Sequence, residues 1–310
     1  MTYIRVKFRP SRLPDSSDLH ALINDEVKRL RKKGKTTTAE AYLSASRSFL
    51  RFTRGKSYTL SEISAEVILS YESWLKDFGL ARNTTSFYMR RLRAVYNKAV
   101  RMGLTDDRKP FRGVFTGSDK TVKRAIAIHD IKKLKNADFR AKPNFDFARD
   151  VFLLSFYLRG MSFIDMAKLK KSDLVGGRIV YRRSKTGQRI EIGWVGEMQA
   201  ILDKYPANPT EYLLPIVTAH GVDFRKEARR VYQSLNLNIQ KAAASLGIGK
   251  TTLYTARHCW ASVAKALGVP LAVISDGMGH ESESTTLIYL KSLDTATLDA
   301  ANHLVISSLS

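Results

Sequence analysis

The stretch from Leu253 to Leu290 constrains this chain most, because helical apolar pattern there surrounds polar groups that interrupt it. Ala261, Val263, Ala264, Ala266 and Leu267 give a buried-face rhythm after Arg257, and Leu287, Ile288 and Leu290 flank Tyr289. Arg257 and His258 stand near the start of one apolar segment, His280 follows Gly279, and Tyr289 comes nine residues later. An arginine, a histidine and a tyrosine occur together by chance in any basic protein. Held on packed helices, however, a cationic and phenolic cluster suits an anionic substrate.

The formal net charge of +23 points the same way. Self-repulsion of that size is tolerated more easily beside a polyanion. Clustered Lys and Arg also gain from phosphate neutralisation and counterion release, so nucleic acid is the expected partner. A basic, highly soluble or ribosome-associated protein is the plainer alternative. With 310 residues the chain can bury one large core or two modest ones, and two domains are expected. An apolar content of 44% with 26% charged residues is that of an ordinary globular protein. No run approaches the ~18 uninterrupted apolar residues of a membrane span, so no membrane partner is expected. The opening MTYIRVKFRPSRL interleaves charges with apolar residues and has no secretory apolar core. Cys259 is the single cysteine, which excludes an internal disulfide framework and Cys-based zinc sites and agrees with a reducing cytosol. His220, His280 and His303 fall in no ligand spacing, so neither a metal nor any other cofactor is expected.

Residues 1–16 read as a basic arm. Ile4, Val6 and Phe8 alternate with Arg5, Lys7 and Arg9 up to Pro10, the period of a short strand or extended segment. It can follow a DNA groove, or it can be an edge strand whose charges face water. Residues 17–105 read as a helical domain. The first helix runs from Asp18 to Lys33 and breaks at Gly34; the next is capped by Thr36–Thr38 and carries Tyr42, Phe49 and Phe52. Thr59 and Glu62 form a capping box before a helix through Ile68 to Trp74. Asn83 and Thr84 cap a last helix with Phe87, Leu92, Val95, Tyr96 and Val100 on its stripe. From Ser86 onward that helix holds Arg90, Arg91, Arg93, Lys98 and Arg101 and no acid, which makes it the expected DNA-binding face. A merely solvated charge run is the alternative.

Residues 106–125 mix Gly, Pro, Asp and Lys with little periodicity and read as an interdomain linker. Residues 126–310 read as a second domain. A short amphipathic helix covers His129–Leu134, and a central apolar helix runs from Phe145 to Phe156 and ends at Leu158–Met161. A helix or turn follows through Asp165, Met166, Leu169 and Leu174. Two strands, 178–181 and 189–192, flank the turn Ser184-Lys185-Thr186-Gly187, and a basic helix spans Val222 to Ser245. After Tyr289, Leu293, Ala296, Leu298, Ala301, Leu304 and Val305 mark an apolar helix, docked on its own domain or inserted into a neighbouring protomer.

Arg257-His258, Met278-Gly279-His280 and Tyr289 together resemble the C-terminal signature of the tyrosine recombinase (phage integrase) family. That signature is an Arg-His pair opening a helix, a Leu/Met-Gly-His turn, and a Tyr about nine residues on. The likeness extends over nearly the whole chain. It implies a mainly α fold, with a SAM-like helical core-binding domain and an α-rich catalytic domain carrying a small antiparallel β-sheet. It also implies a site-specific recombinase that cleaves and rejoins double-stranded DNA through a 3′-phosphotyrosyl intermediate, without metal or ATP. Tyr289 would be the nucleophile, and Arg257 would hold the non-bridging phosphate oxygens. His280 would donate to the same oxygens or assist proton transfer from Tyr289. Lys185 would protonate the departing 5′-oxygen, and His258 would brace the site. The implied partners are a duplex with inverted-repeat core sites and further copies of the chain, joined through the C-terminal helix in a homotetramer that works through a Holliday junction.

A cytoplasmic, nucleoid-associated protein of bacterial or mobile-element origin fits this reading. Inversion is favoured over integration, because residues 1–16 leave no room for an arm-binding domain. Two other functions stay open: a DNA-binding regulator that kept the fold and lost catalysis, and a type IB topoisomerase, which uses the same intermediate. Two positions depart from the family pattern. A histidine usually lies three residues before the arginine of the Arg-His pair; Tyr254 stands there, and its hydroxyl is no base near neutral pH. The family's first arginine usually precedes an acidic residue by three positions, and aligning on Asp165 puts Ser162 there. Arg159 lies one helical turn earlier and, sharing a helix face, is expected to deliver its guanidinium to the same point. Gly247–Thr252 resembles a phosphate loop, but Ala244 stands where its first glycine is required and no strand precedes it, so it reads as a loop and cap.

Overall fold

A computed structural model describes residues 18–119, 125–280 and 282–287 of the chain. The basic arm, residues 120–124 of the expected linker, Tyr289 and the C-terminal apolar helix lie outside the described residues. Contacts divide the chain into two compact units, one up to residue 121 and one from residue 122.

The first unit is helical. Asp18 opens α1 (Leu19–Lys32), its carboxylate accepting from the backbone N–H groups of His20 and Ala21. Three more helices follow: α2 (Thr36–Phe52), α3 (Ala65–Asp77) and α4 (Arg82–Arg101). Their stripes meet in a core that fully buries Leu19, Ile23, Ile68, Tyr71, Leu92 and Tyr96. Each such side chain contributes about 1.5–3 kcal/mol by leaving water.

Local chemistry departs from expectation at four places. Helix α2 starts from Lys35 with no side-chain cap, and Thr36–Thr38 lie inside it. The Thr59–Glu62 box closes a single 3-10 turn, and Ser64 caps α3 by accepting the Val67 N–H at 3.3 Å. Asn83 does not cap α4, which begins after Ala81. Its amide is engaged elsewhere, donating to Asp119 O at 3.0 Å and accepting the Asp119 N–H at 2.7 Å. The expected linker is also shorter among the described residues. Phe111 and Val114 sit in the first unit's core, and the Tyr96 hydroxyl donates to Asp106 O at 3.0 Å. Residues 106–119 therefore strap back over the helices, because two large apolar groups in a polar stretch are enough to anchor it.

The second unit is built on α6 (Pro143–Tyr157), apolar nearly all round, which packs against α9 (Phe224–Ser245) and α10 (Thr255–Ala266). Around it lie α5 (Ile128–Asn136), α7 (Phe163–Lys168), α8 (Gly196–Leu202), α11 (Leu271–Gly277) and α12 (Glu283–Leu287). The sheet is antiparallel in the order β1 (Leu174–Val175), β2 (Arg178–Arg182), β3 (Arg189–Gly193). Ile179 pairs with Ile192 and Tyr181 with Ile190, so odd residues of β2 face the core. Strand β1 was expected as helix or turn. Asp173 accepts the Lys170 N–H at 2.8 Å, and the turn it closes redirects the chain into the sheet. No helix among the described residues is long and apolar enough to cross a membrane.

Candidate active site

The site forms where α10, the turn after α6, the β2–β3 hairpin and the loop after α11 converge in the second unit. Helix α10 is fixed at its start by neighbours. Asn236 of α9 accepts the Leu253 N–H at 3.0 Å, and Thr255 accepts the Thr252 N–H at 3.0 Å. Arg257 follows in the first turn and is 3% exposed. Its Nη1 donates to Gly160 O at 2.7 Å, and its Nη2 donates to Met278 O at 2.7 Å. Nη2 also lies 2.7 Å from His280 Nε2. Only glycine permits this approach: Gly160 has φ +72°, and a Cβ there would lie 2.7 Å from Arg257 Cα.

A guanidinium can only donate, so His280 Nε2 must be the acceptor and the ring proton sits on Nδ1. Nδ1–H then donates to the buried Thr286 Oγ1 of α12, at 2.8 Å. Burial, reinforced by Arg257, Arg183 and Lys185, pushes the imidazole down to about 4. His280 is therefore neutral near pH 7 and presents a lone pair. Of the two roles expected for it, that favours receiving a proton over donating to an anion.

The hairpin carrying Lys185 is pinned at its base. Asp165 Oδ1 accepts the Ser184 N–H at 2.9 Å, and Arg183 N–H donates to Gln188 O at 2.9 Å. Lys185 is exposed at the turn and close enough to act on His280. Ser162 caps α7 and donates to Asp165 Oδ2 at 2.7 Å, so its hydroxyl is engaged.

Arg159 needs a correction. It shares no helix face with Ser162: it follows the end of α6 with φ +57°, and Gly160 and Met161 intervene before Ser162 caps α7. A left-handed pair thus ends the helix before the expected spacing can act. The turn still leaves Arg159 beside the site. Its Cδ lies 3.6 Å from where a Gly277 Cβ would be, and it joins Arg257 and Arg183 in acting on the buried Tyr181 hydroxyl. Tyr254, in the usual histidine place, is 45% exposed, with its ring edge-on to the buried His258 at 5.2 Å. Cys259 is packed in the core, its thiol pushed up to about 11 by burial.

The sequence reading missed Arg183 and Thr286. Strand parity could have found the first: Ile179, Tyr181 and Arg183 alternate onto the inward face, which puts an arginine where an apolar residue belongs. No comparable signal marks Thr286. Among the described residues, no group of three His, Cys, Asp or Glu could hold a metal ion.

The cationic face of α4 also differs from expectation. Lys98 pairs with Glu26 of α1 at 2.6 Å. Arg90 donates to Gly117 O at 3.0 Å and Arg93 to Thr116 Oγ1 at 2.7 Å, both on the returning strap. Arg91 lies over the Phe87 and Tyr42 rings. Only Arg101 of the five is classed as exposed. The acid that balances this helix comes from another element, which a single-helix count does not see.

A family model described as the phage integrase SAM-like domain matches residues 18–114. The tyrosine recombinase XerD of Halalkalibacterium halodurans is 24% identical over 250 residues, covering 78% of this chain and 81% of that protein. The tyrosine recombinase XerC of Roseiflexus sp. RS-1 is 23% identical over 238 residues, covering 74% of each. A lambda integrase dimer bound to a COC′ core site superposes with a TM-score of 0.65 at 20% identity, over 88% of this chain and 77% of that one. The Tn1549 transposon integrase in complex with a circular intermediate DNA gives 0.68 at 15% identity, over 93% and 99%. At these identities the solved structures speak for the fold.

Proposed function

Because the chain belongs to the tyrosine recombinase (phage integrase) family, we propose that it is a site-specific DNA recombinase that breaks and rejoins strands through a phosphotyrosine bond. The observation that carries this reading is the buried Arg257–His280 pair, ringed by further cations and followed nine residues later by Tyr289. Such preorganised donors lower the energy of a phosphorane far more than solvated ones do.

In the proposed step the Tyr289 oxygen attacks the scissile phosphorus and its proton passes to the His280 lone pair. The bond from phosphorus to the 5′-oxygen breaks, and that oxygen takes a proton from Lys185. Arg257 holds the non-bridging oxygens, with Arg159 at the rim. A 5′-hydroxyl from the partner strand reverses the step, so the energy of the broken bond is kept in the ester and no ATP is needed. Arg101 and the rest of the α4 face would contact the duplex backbone. By likeness to relatives, four copies would act on two duplexes with inverted-repeat sites. Integration, excision and inversion differ in the placing of the two sites, and inversion is the outcome expected here.

The test is covalent capture of the full-length protein on sheared host DNA, followed by sequencing of the captured ends. The reading requires adducts at discrete inverted-repeat sites, which Tyr289→Phe abolishes while binding persists. Scattered adducts would indicate a topoisomerase, and site binding without adducts would indicate a regulator.

A further inference from the structure

Arg183 is buried to 7% exposure at an inward position just past β2. Among the described residues it forms no ion pair with any carboxylate, and its one hydrogen bond runs from Nη1 to Gly279 O. Its remaining N–H donors have no acceptor there. A buried cation without a counter-charge is costly unless an anion arrives to complete it. The nearest acid along the hairpin, Asp165, is engaged with Ser184 and Ser162.

The location of that guanidinium is informative. Arg257 anchors on Met278 O and Arg183 on Gly279 O, carbonyls of consecutive residues whose Cα atoms are ~3.8 Å apart. Two arginines from different elements, α10 and the β2–β3 hairpin, therefore converge on the single turn that presents His280. Gly279 has φ +64°, and a Cβ there would lie 3.2 Å from Arg183 Cδ and 2.5 Å from Ile190 Cδ1, so the turn is closed tightly over this side chain. Both arginines act on the His280 ring and on the Tyr181 hydroxyl, which puts them within electrostatic reach of one spot. Ser162, in the place where a first arginine was expected, is held by Asp165 and brings no charge.

We propose that Arg183 is a second catalytic guanidinium, which with Arg257 neutralises the non-bridging oxygens of the scissile phosphate. This rests on the recombinase reading. Arg183 makes no bond to the reacting atoms; it offsets the negative charge that grows on the oxygens as the Tyr289 oxygen bonds to phosphorus and the 5′-oxygen departs.

The test uses the full-length protein on nicked duplexes bearing its mapped cleavage site. One has the natural phosphate and the other a methylphosphonate, in which a methyl group replaces one charged oxygen. With the natural phosphate, Arg183→Ala should slow adduct formation by about 100-fold, the scale for losing one such donor, while site affinity stays within about threefold. With the methylphosphonate, the gap to wild type should shrink below about tenfold, because the charge Arg183 answers is gone. A merely structural role would leave the deficit equal on both substrates, and that result, like an undiminished rate, would overturn the proposal. Arg183→Gln, close in volume, serves if the alanine variant does not fold, with the same outcomes. Wild-type protein that forms no adduct removes the recombinase reading itself; wild-type adduct with an unaffected Arg183→Ala removes only this assignment.

Discussion

Two clusters of cations, one in each unit, looked alike in sequence and differ in structure. On α4, Lys98 is met by Glu26, and Arg90 and Arg93 hold the returning strap. Around α10, Arg257 and Arg183 are buried against backbone carbonyls, and no carboxylate pairs with Arg183 among the described residues. The first pattern stabilises a fold. The second maintains positive charge out of water, where it acts strongly on whatever anion enters. Neighbours from other elements, and not the count of cations on one helix, separate a structural cluster from a reactive one.

The contrast is easiest to break at its extremes. Arg257→Ala should slow single-turnover cleavage of a nicked site by about a thousandfold or more, the upper end for a removed oxyanion donor. Lys98→Ala should leave that rate within about threefold. Equal losses would dissolve the distinction.

Glycine provides the next comparison. Gly160 and Gly34 have φ +72° and +69°, but a Cβ at Gly160 meets the Arg257 backbone at 2.7 Å, whereas nothing lies within 4 Å at Gly34. Gly34→Ala should cost about 1–2 kcal/mol from the left-handed backbone alone. Gly160→Ala should cost more in urea unfolding and should also impair cleavage, because Arg257 must shift. Similar costs would show that the turn after α6 yields.

The units should also respond to acid in separate windows. His280 is lowered from 6.5 to about 4, so its contribution is complete above 6.5 and fades as pH falls towards 4. Glu26, lowered from 4.5 to about 2 chiefly by its bonds with Arg29 and then Lys98, keeps its contribution above 4.5 and loses it towards 2. Ring-proton NMR of His280 should show a midpoint near 4, and Glu26→Gln should flatten only the lower window of the stability curve. A His280 midpoint near 6.5 would contradict the neutral tautomer derived above.

The smallest effects belong to the DNA face. Arg101→Ala should reduce the salt dependence of binding by about one counterion, whereas Lys98→Ala should leave the slope unchanged and cost up to about 1 kcal/mol of stability.

Much of this was legible in sequence. Period 3.6 marked α1, α4, α6 and α9, and period two around Ser184–Gly187 marked the hairpin. Arg257 and His280 stood out because each interrupts an apolar run, and the structure brings them to 2.7 Å. What escaped depends on contacts between elements. Asn83 has a capper's chemistry but bonds Asp119, far along the chain. Phe111 and Val114 turn an apparent linker into a strap, yet two apolar residues leave no periodicity to read. Arg159 kept its neighbourhood while the helical reasoning that led to it failed, since backbone handedness at one residue is invisible in composition.

The most direct measurement is the identity of the residue that becomes esterified. The full-length protein is trapped on a nicked duplex carrying its mapped site, digested with protease and nuclease, and sequenced by mass spectrometry. The account predicts a single nucleotide-modified peptide with the added mass on Tyr289, lost in Arg257→Ala. Modification of another residue, or none while strands are still cut, would contradict it.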